Sequence, residues 1–478
     1  MSTSLRVLSV EDRHQVHERT LKLLSGTGVR VDSSRACDIL AAAGAEVDSQ
    51  SGRVRLPVPL IENCLRAAPK EFSLGGRRPG WSLDLPSGDS ALLVDGGAIF
   101  TYEAQVRQRR PATRDDWLIA TLISDALDDF GGYWSIVEGC FGESPGDIVA
   151  YWAAIFRHFS KHVQESTATP EQTRWMLEVL QIVFGSREQV RASLPVSFLL
   201  CPTSPLIIEA EYTDAYLEAV GWGLPAAVMP MPLLGLTGPG TLISNLILCN
   251  CETLAMLCLV QAAAPGTPFL FAPAPAIADP RSGRFIGGEV EHALMGAAVT
   301  EMARYYELPV ESSAGGSDQQ VPGIQAGYER ALNYVLPILS QPDLLVGPGL
   351  LGGSMTFSPE QLVIDLEIVR RCKRLSRGID TNEEEWLDRI IAGVEPGGNF
   401  LVQPSTRRAL RSGELYLGQF GLHETYERWE ADGKPNLLEI ARQQVAQIIS
   451  SHQPLPLDEV TQRALALLEK SARTVTNR

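Results

Sequence analysis

At 478 residues, with 45% hydrophobic and 21% charged residues, the chain has an ordinary globular composition and is too long for one small core. The net charge of −16 argues against non-specific nucleic-acid binding, which needs Lys and Arg to neutralise phosphates, and no apolar run approaches the roughly 18 residues needed to cross a bilayer. Eight scattered cysteines suggest no disulfide framework, and seven histidines without a paired-ligand spacing give a zinc site no support.

The opening stretch "MSTSLRVLSVEDRHQVHERTLKLL" lacks the apolar core of a signal peptide, so a cytoplasmic location is expected; it predicts a short strand and then an amphipathic helix that stops at Gly26 and Gly28. Residues 1–90 read as a helical extension with short strands, including a proline-started helix in "RVRLPVPLIENCLRAAP". "LLVDGGAIFTYE" predicts a hairpin turning at Gly96 and Gly97. A series of short buried strands follows, beginning with "GGYWSIVEG" and "HVQESTATP".

Four later segments share one plan: "SLPVSFLLCPT", "GLPAAVMPMPLLG", "GTPFLFAPAPA" and "ELPVESSAGGSD". In each, a proline ends a helix because it lacks an amide hydrogen, and an apolar run of strand length follows. These prolines are Pro195, Pro225, Pro268 and Pro309, and Pro342 opens a fifth such segment, "QPDLLVGPGLL". Their spacing fits β/α units, since parallel neighbours need a crossover helix. That makes seven strands, with "GNFLVQPST" as the expected eighth. The series predicts an α/β fold: a TIM (β/α)8 barrel over residues 91–404, preceded by the 1–90 extension and followed by a helical C-terminal segment over 405–478. An open doubly wound sheet is the alternative, but no G-x-G-x-x-G follows the first strand. Within the barrel, Cys251 and Cys258 of "CNCETLAMLC" lie two helical turns apart and read as small packed residues.

Barrel chemistry sits at the C-terminal ends of strands, here residues 134–138, 164–167, 201–204, 229–233, 273–276, 311–325 and 347–353. These ends are poor in His and Lys, which disfavours Ser/His/Asp catalysis, Schiff bases and zinc hydrolysis. Carboxylates beside aromatics remain, Trp134 and Glu138 with Glu165 on the next strand, and that pairing suits a cation. The competing reading is that Trp134 fills the barrel and both acids pair with Arg or Lys. "SSAGGSDQQVPGIQAGYE" falls after the strand at 311 and carries an unusual polar load, with a helix expected from Gln325 and Asp318 or Ser317 as its cap.

The segment "SDQQVPGIQAGYERALNYVLPILSQPDLLVGPGLLGGSMTFSPEQLVIDLEIV", with "LVDGGAIF" and "RWEADGK", resembles the trimethylamine methyltransferase (MttB-like) family over nearly the whole chain. The resemblance implies a TIM barrel that moves a methyl group from a methylated amine to the Co(I) corrinoid of a separate protein. Only standard residues occur, so it points to the branch without pyrrolysine, whose members use quaternary amines such as glycine betaine. Val290 stands two residues before His292, so no Asp-x-His-x-x-Gly corrinoid module is present. No cofactor is expected on this chain; a corrinoid protein and a second copy of the chain are the expected partners, with no nucleic acid or membrane.

On this reading Tyr102 and Trp134 face the cation, and Glu138 and Glu165 balance its charge. Asp318, Gln319 and Gln325 line or order the loop, and Gly347, Gly349, Gly352 and Gly353 admit the corrinoid. Three departures from the pattern the resemblance leads one to expect stand out: Gln319 and Gln320 where Ala and Lys are expected, Gly352 where a Glu is, and Ser405 with Thr406 where a His-Thr pair is. A barrel enzyme of other chemistry on a small cation, or a betaine-binding protein without turnover, are the alternatives.

Overall fold

The computed structural model describes residues 5–475 apart from 419 and 421. Eight short strands form the centre: β1 (Ala91–Leu93), β2 (Phe130–Tyr133), β3 (His162–Glu165), β4 (Val196–Leu200), β5 (Ala226–Val228), β6 (Phe269–Phe271), β7 (Glu311–Ser313) and β8 (Leu344–Val346). They pair in parallel in the order β6-β5-β4-β3-β2-β1-β8-β7. A further parallel bridge, Phe271 to Val310, joins β6 to β7 and closes the barrel.

A helix follows every strand: α1 (Arg114–Ala126), α2 (Pro145–His158), α3 (Pro170–Phe184), α4 (Ala210–Ala219), α5 (Leu242–Ala263), α6 (Val290–Tyr305), α7 (Ile324–Ser340) and α8 (Pro359–Ser376). The entry prolines do what the sequence predicts. Pro195, Pro225, Pro268, Pro309 and Pro342 stand just before β4 to β8, where each offers its carbonyl to an amide of the neighbouring strand at 2.8–3.0 Å and needs no N–H of its own. Helix starts use a second device. Ser144, Thr169 and Ser358 accept the amide three residues on, each with proline at the first helical position.

Two expectations are corrected. The eighth strand is Ala91–Leu93 at the start of the series, not "GNFLVQPST", which contains no strand and leads into the helix Pro404–Ser412. Gly96 and Gly97 therefore leave a barrel strand instead of turning a hairpin; the hairpin pairs Phe100–Glu103 with Gln108–Pro111. The short strand expected at the start has no counterpart among residues 5–9, and residues 1–4 lie outside the described residues.

Outside the barrel, a hairpin of Phe72–Gly75 and Ser82–Leu85 closes the N-terminal end, placing Leu74 and Leu85 in the interior cluster. The helices Val10–Gly26 and Val58–Ala67 cover α5. Contrary to the sequence reading, that helix is long and apolar enough to cross a membrane; most of it is buried within the fold. Asn250 on it bonds Thr20 and Tyr306. At the other end of the chain, Leu437–Ser451 packs on α8 and Glu459–Val475 on α2.

Candidate active site

Side chains alternate across a strand, so every second residue faces the lumen. Leu344 and Val346 of β8, Ala91 and Leu93 of β1, Leu199 of β4, Ala227 of β5 and Leu270 of β6 pack together as one interior cluster. Two strands break this apolar lining. Gln164 of β3 donates its amide to Glu311 Oε2 of β7 at 2.6 Å, and because β3 and β7 are not neighbours the bond crosses the lumen. Both side chains are fully buried, and Gln164 Oε1 and Glu311 Oε1 have no hydrogen-bond partner among the described residues.

Above that floor, toward the strand C-termini, Trp134 and Cys201 pack on the same interior cluster. The alternation that turns Ala91 and Leu93 inward turns Asp95 inward as well. Its carboxylate accepts the Gly96 amide at 2.9 Å and the Ser354 hydroxyl at 3.4 Å. A Cβ on Gly96 would overlap the Trp134 indole, so glycine lets the ring lie flat against the backbone beside Asp95.

The electrostatics are those of buried carboxyls held close together. Burial pushes Asp95 up to about 6, with Glu138 adding to the rise while the Gly96 amide, Arg330 and Ser354 oppose it. Asp95 still keeps some open surface, as a group at the bottom of a recess does. Burial pushes Glu311 up to about 7, helped by Asp95 and opposed by Gln164. The Cys201 thiol is raised to about 12 by burial and by Glu311, so it stays protonated and unreactive.

The expected cation pair of Trp134 with Glu138 and Glu165 is split by one residue of register. Gln164 faces the lumen, so Glu165 faces the other way, toward α2. There it accepts the Tyr151 hydroxyl at 2.5 Å in a separate recess of about 220 Å³ lined by Ser135, Glu138, Cys140, Phe141, Tyr151 and Glu165. Glu138 stands exposed at the rim, where it raises both Asp95 and Glu165. Burial pushes Glu165 up to about 7. A raised carboxyl stabilises the fold below its unfolded pKa of about 4.5 and loses that contribution as pH rises through about 7. The melting temperature should therefore fall between pH 5 and pH 8, and Glu165→Gln should flatten the slope, recovering up to about 3 kcal/mol at pH 8.

Tyr102 is buried on the strand Phe100–Glu103, opposite Arg109, in a small sheet that also holds Thr356–Phe357 and Leu350–Leu351. It stands beside the mouth, outside the interior cluster.

The loop after β7 is a clamp, and its polar groups are occupied. Asp318 accepts the amides of Gly287 and Gly288, and burial raises its carboxyl. Gln319 Oε1 accepts the Ala326 amide at 2.6 Å and so caps α7 in place of Asp318 or Ser317, while its carbonyl holds the Gly352 amide. Gln325 and Ser317 both donate to Glu329. Gly315 has φ 66° and lies against the Tyr334 ring. Gln319→Ala should cost about 1 kcal/mol in urea unfolding with little change in substrate KM.

The glycines expected to admit a corrinoid are mostly explained from inside the protein. Gly347, Gly349 and Gly352 are buried at φ 138°, 93° and 62°. A Cβ would overlap the Ala314 carbonyl at Gly347 and would press on Leu362 and Ile136 at Gly349. Only Gly353 of the four is partly open, beside Phe285.

This turn is held from behind. Arg330, fully buried, donates to the Gly347 carbonyl at 2.5 Å and to the Leu350 carbonyl, and lies 3.4 Å from Asp365. Asp365 accepts the Gly349 amide at 2.8 Å and the Gln361 amide at 2.7 Å. The Ser358, Gln361 and Asp365 pattern is thus a buttress for the mouth. His292 is also internal, bonded to the Pro275 carbonyl and Ser313.

Sequence reasoning assigned no role to Asp95, Gln164, Glu311 or Arg330. The signal for Asp95 was available, an acid ending a buried strand immediately before two glycines.

A model of the family described as trimethylamine methyltransferase (MTTB) matches residues 2–473. The chain is 28% identical to trimethylamine methyltransferase MttB of Desulfitobacterium hafniense, covering 94% of this chain and 90% of that one. It is 27% identical to the protein of the same name from Methanosarcina thermophila, covering 95% of each. It is also 27% identical to the glycine betaine methyltransferase of Desulfitobacterium hafniense, covering 98% of each.

Proposed function

The chain belongs to the trimethylamine methyltransferase family, and from that premise we propose that it takes a methyl group from a small quaternary amine and passes it to the Co(I) corrinoid of a separate protein. The observation that carries this reading is the placing of Asp95 beside the Trp134 ring at the strand C-terminal end of a closed barrel, above the buried Glu311 whose carboxyl Asp95 raises. Glycine betaine, for which one relative is named, is the reference compound.

A methyl on a quaternary nitrogen is already activated, because the C–N bond breaks with its electron pair staying on nitrogen and the amine leaves neutral. No general base is needed. The corrinoid supplies the nucleophile when its protein docks at the mouth. This chain's residues hold the cation, with the Trp134 face and Asp95 attracting it, and exclude water through the apolar lining. The Cys201 thiol stays protonated and so does not compete for the methyl group.

Mixing the protein with a quaternary amine and a Co(I) corrinoid protein tests this, read as loss of the Co(I) absorption together with release of the demethylated amine. Tight amine binding without either change would sink the transfer reading. Trp134→Ala should weaken amine binding by roughly tenfold in calorimetry, within the range of a desolvated cation–π contact, and Trp134→Phe by less.

A further inference from the structure

The quaternary-amine reading fixes one end of the substrate; the floor of the lumen speaks to the other end. Resting on that reading, we propose that the lumen selects a trimethylammonium compound whose substituent carries a hydroxyl and no carboxylate, with the hydroxyl on the floor formed by Gln164 and Glu311.

Gln164 Oε1 and Glu311 Oε1, both fully buried on the two side chains that meet across the lumen, have no hydrogen-bond partner among the described residues. Acceptors left unpaired in a dry interior are unfavourable, so the missing group is a donor. A quaternary nitrogen has no N–H. The donor must therefore sit on the substituent, and a hydroxyl is the smallest that fits the requirement. Placing it on the floor leaves the ammonium one layer higher, beside Asp95 and Trp134, with its methyl groups toward the mouth where the acceptor must come.

A carboxylate in the same place meets the opposite situation. It would add acceptors to two orphaned ones and a negative charge to Asp95 and Glu311. Among the described residues, no Lys, Arg or His donates a hydrogen bond to Asp95, Gln164, Cys201 or Glu311. Arg330 is the cation that acts on Asp95, and its terminal nitrogens are bonded to the Gly347 and Leu350 carbonyls with Asp365 alongside. Glu311 is faced by Gln164 of β3, by Asp95 beyond β1 and by Cys201 beyond β4. Its protonated form offers an O–H on the floor that a carboxylate could use, and that form is lost as pH rises through about 7. Preference for the hydroxyl compound over the zwitterion should grow with pH.

Calorimetric titration with choline, tetramethylammonium and glycine betaine at pH 8 and pH 6 tests this. At pH 8 choline is expected to bind at least about tenfold tighter than either of the others, the gain of one well-made buried hydrogen bond. The ratio of choline to glycine betaine should narrow at pH 6, and Gln164→Leu should narrow the ratio of choline to tetramethylammonium. Glycine betaine binding as tightly as choline at pH 8 overturns the exclusion of the carboxylate, and tetramethylammonium doing so overturns the donor; in both cases the quaternary-amine reading survives. If the folded wild-type protein binds none of the three, that reading falls with the proposal.

Discussion

Replacing Asp95 with asparagine is expected to lower kcat/KM for a quaternary amine roughly a hundredfold near pH 8, a loss of about 2.7 kcal/mol. The side chain keeps its size and can still bond the Gly96 amide and Ser354, so the change isolates charge. A cation a few ångströms from a carboxylate gains about this much at the intermediate dielectric of a protein recess. The pH profile gives a second readout. Binding the cation requires the ionised form, so wild-type kcat/KM should fall as pH drops through about 7 and 6, where Glu311 and then Asp95 take up protons. Asp95→Asn removes the lower limb. It also removes a charge that raises Glu311, so the remaining limb should move below about 7. A variant with wild-type kcat/KM, or with an unchanged two-limbed profile, would place the cation elsewhere.

How far the fold could be read from sequence depended on which signals are local. Each entry proline marks its strand because the missing N–H is a property of that residue alone, and five of eight strands were found that way. The first barrel strand was misread because "LLVDGGAIF" carries two glycines that look like a hairpin turn; their reason is the indole of Trp134, which arrives from a different strand. The candidate site was legible only in part, because Asp95 follows the misread strand and fell in none of the expected stretches. Residues 134, 164, 201 and 311 all fell in the stretches expected at the mouth, yet Glu165 was chosen over Gln164. Which of two adjacent residues faces the lumen is set by register against the next strand, here Gln164 beside Ser197, and no single strand contains that information.

Two of the departures from the family pattern turn out to be neighbours in space. Gln320, which stands where Lys was expected, places its amide 3.0 Å from the position a Cβ on residue 352 would occupy, and Gly352 stands where Glu was expected. A Lys and a Glu at these positions would lie within reach of an ion pair across the loops after β7 and β8. On the expected pattern the two positions would form one ion pair at the mouth, apart from Asp95, Gln164 and Glu311.

The largest effect on stability is expected at Arg330, which touches none of the lumen's polar floor. Arg330→Met should destabilise the protein by about 3–5 kcal/mol in urea unfolding, the usual loss when one member of a buried ion pair is removed. Asp365, fully buried, would keep its charge-raising surroundings without its cation, and the Gly347 and Leu350 carbonyls would lose their donor. Adding Asp365→Leu removes the stranded carboxylate, so the double variant should recover part of the loss. Recovery stays incomplete because the two carbonyls and the Gly349 amide remain unpaired. The consequence reaches the substrate site through charge. Arg330 is the cation that opposes the rise of the Asp95 pKa, so in Arg330→Met the acid limb of amine binding should move above about 6. A folded variant whose acid limb stays in place would show that the buttress holds the mouth without tuning its chemistry.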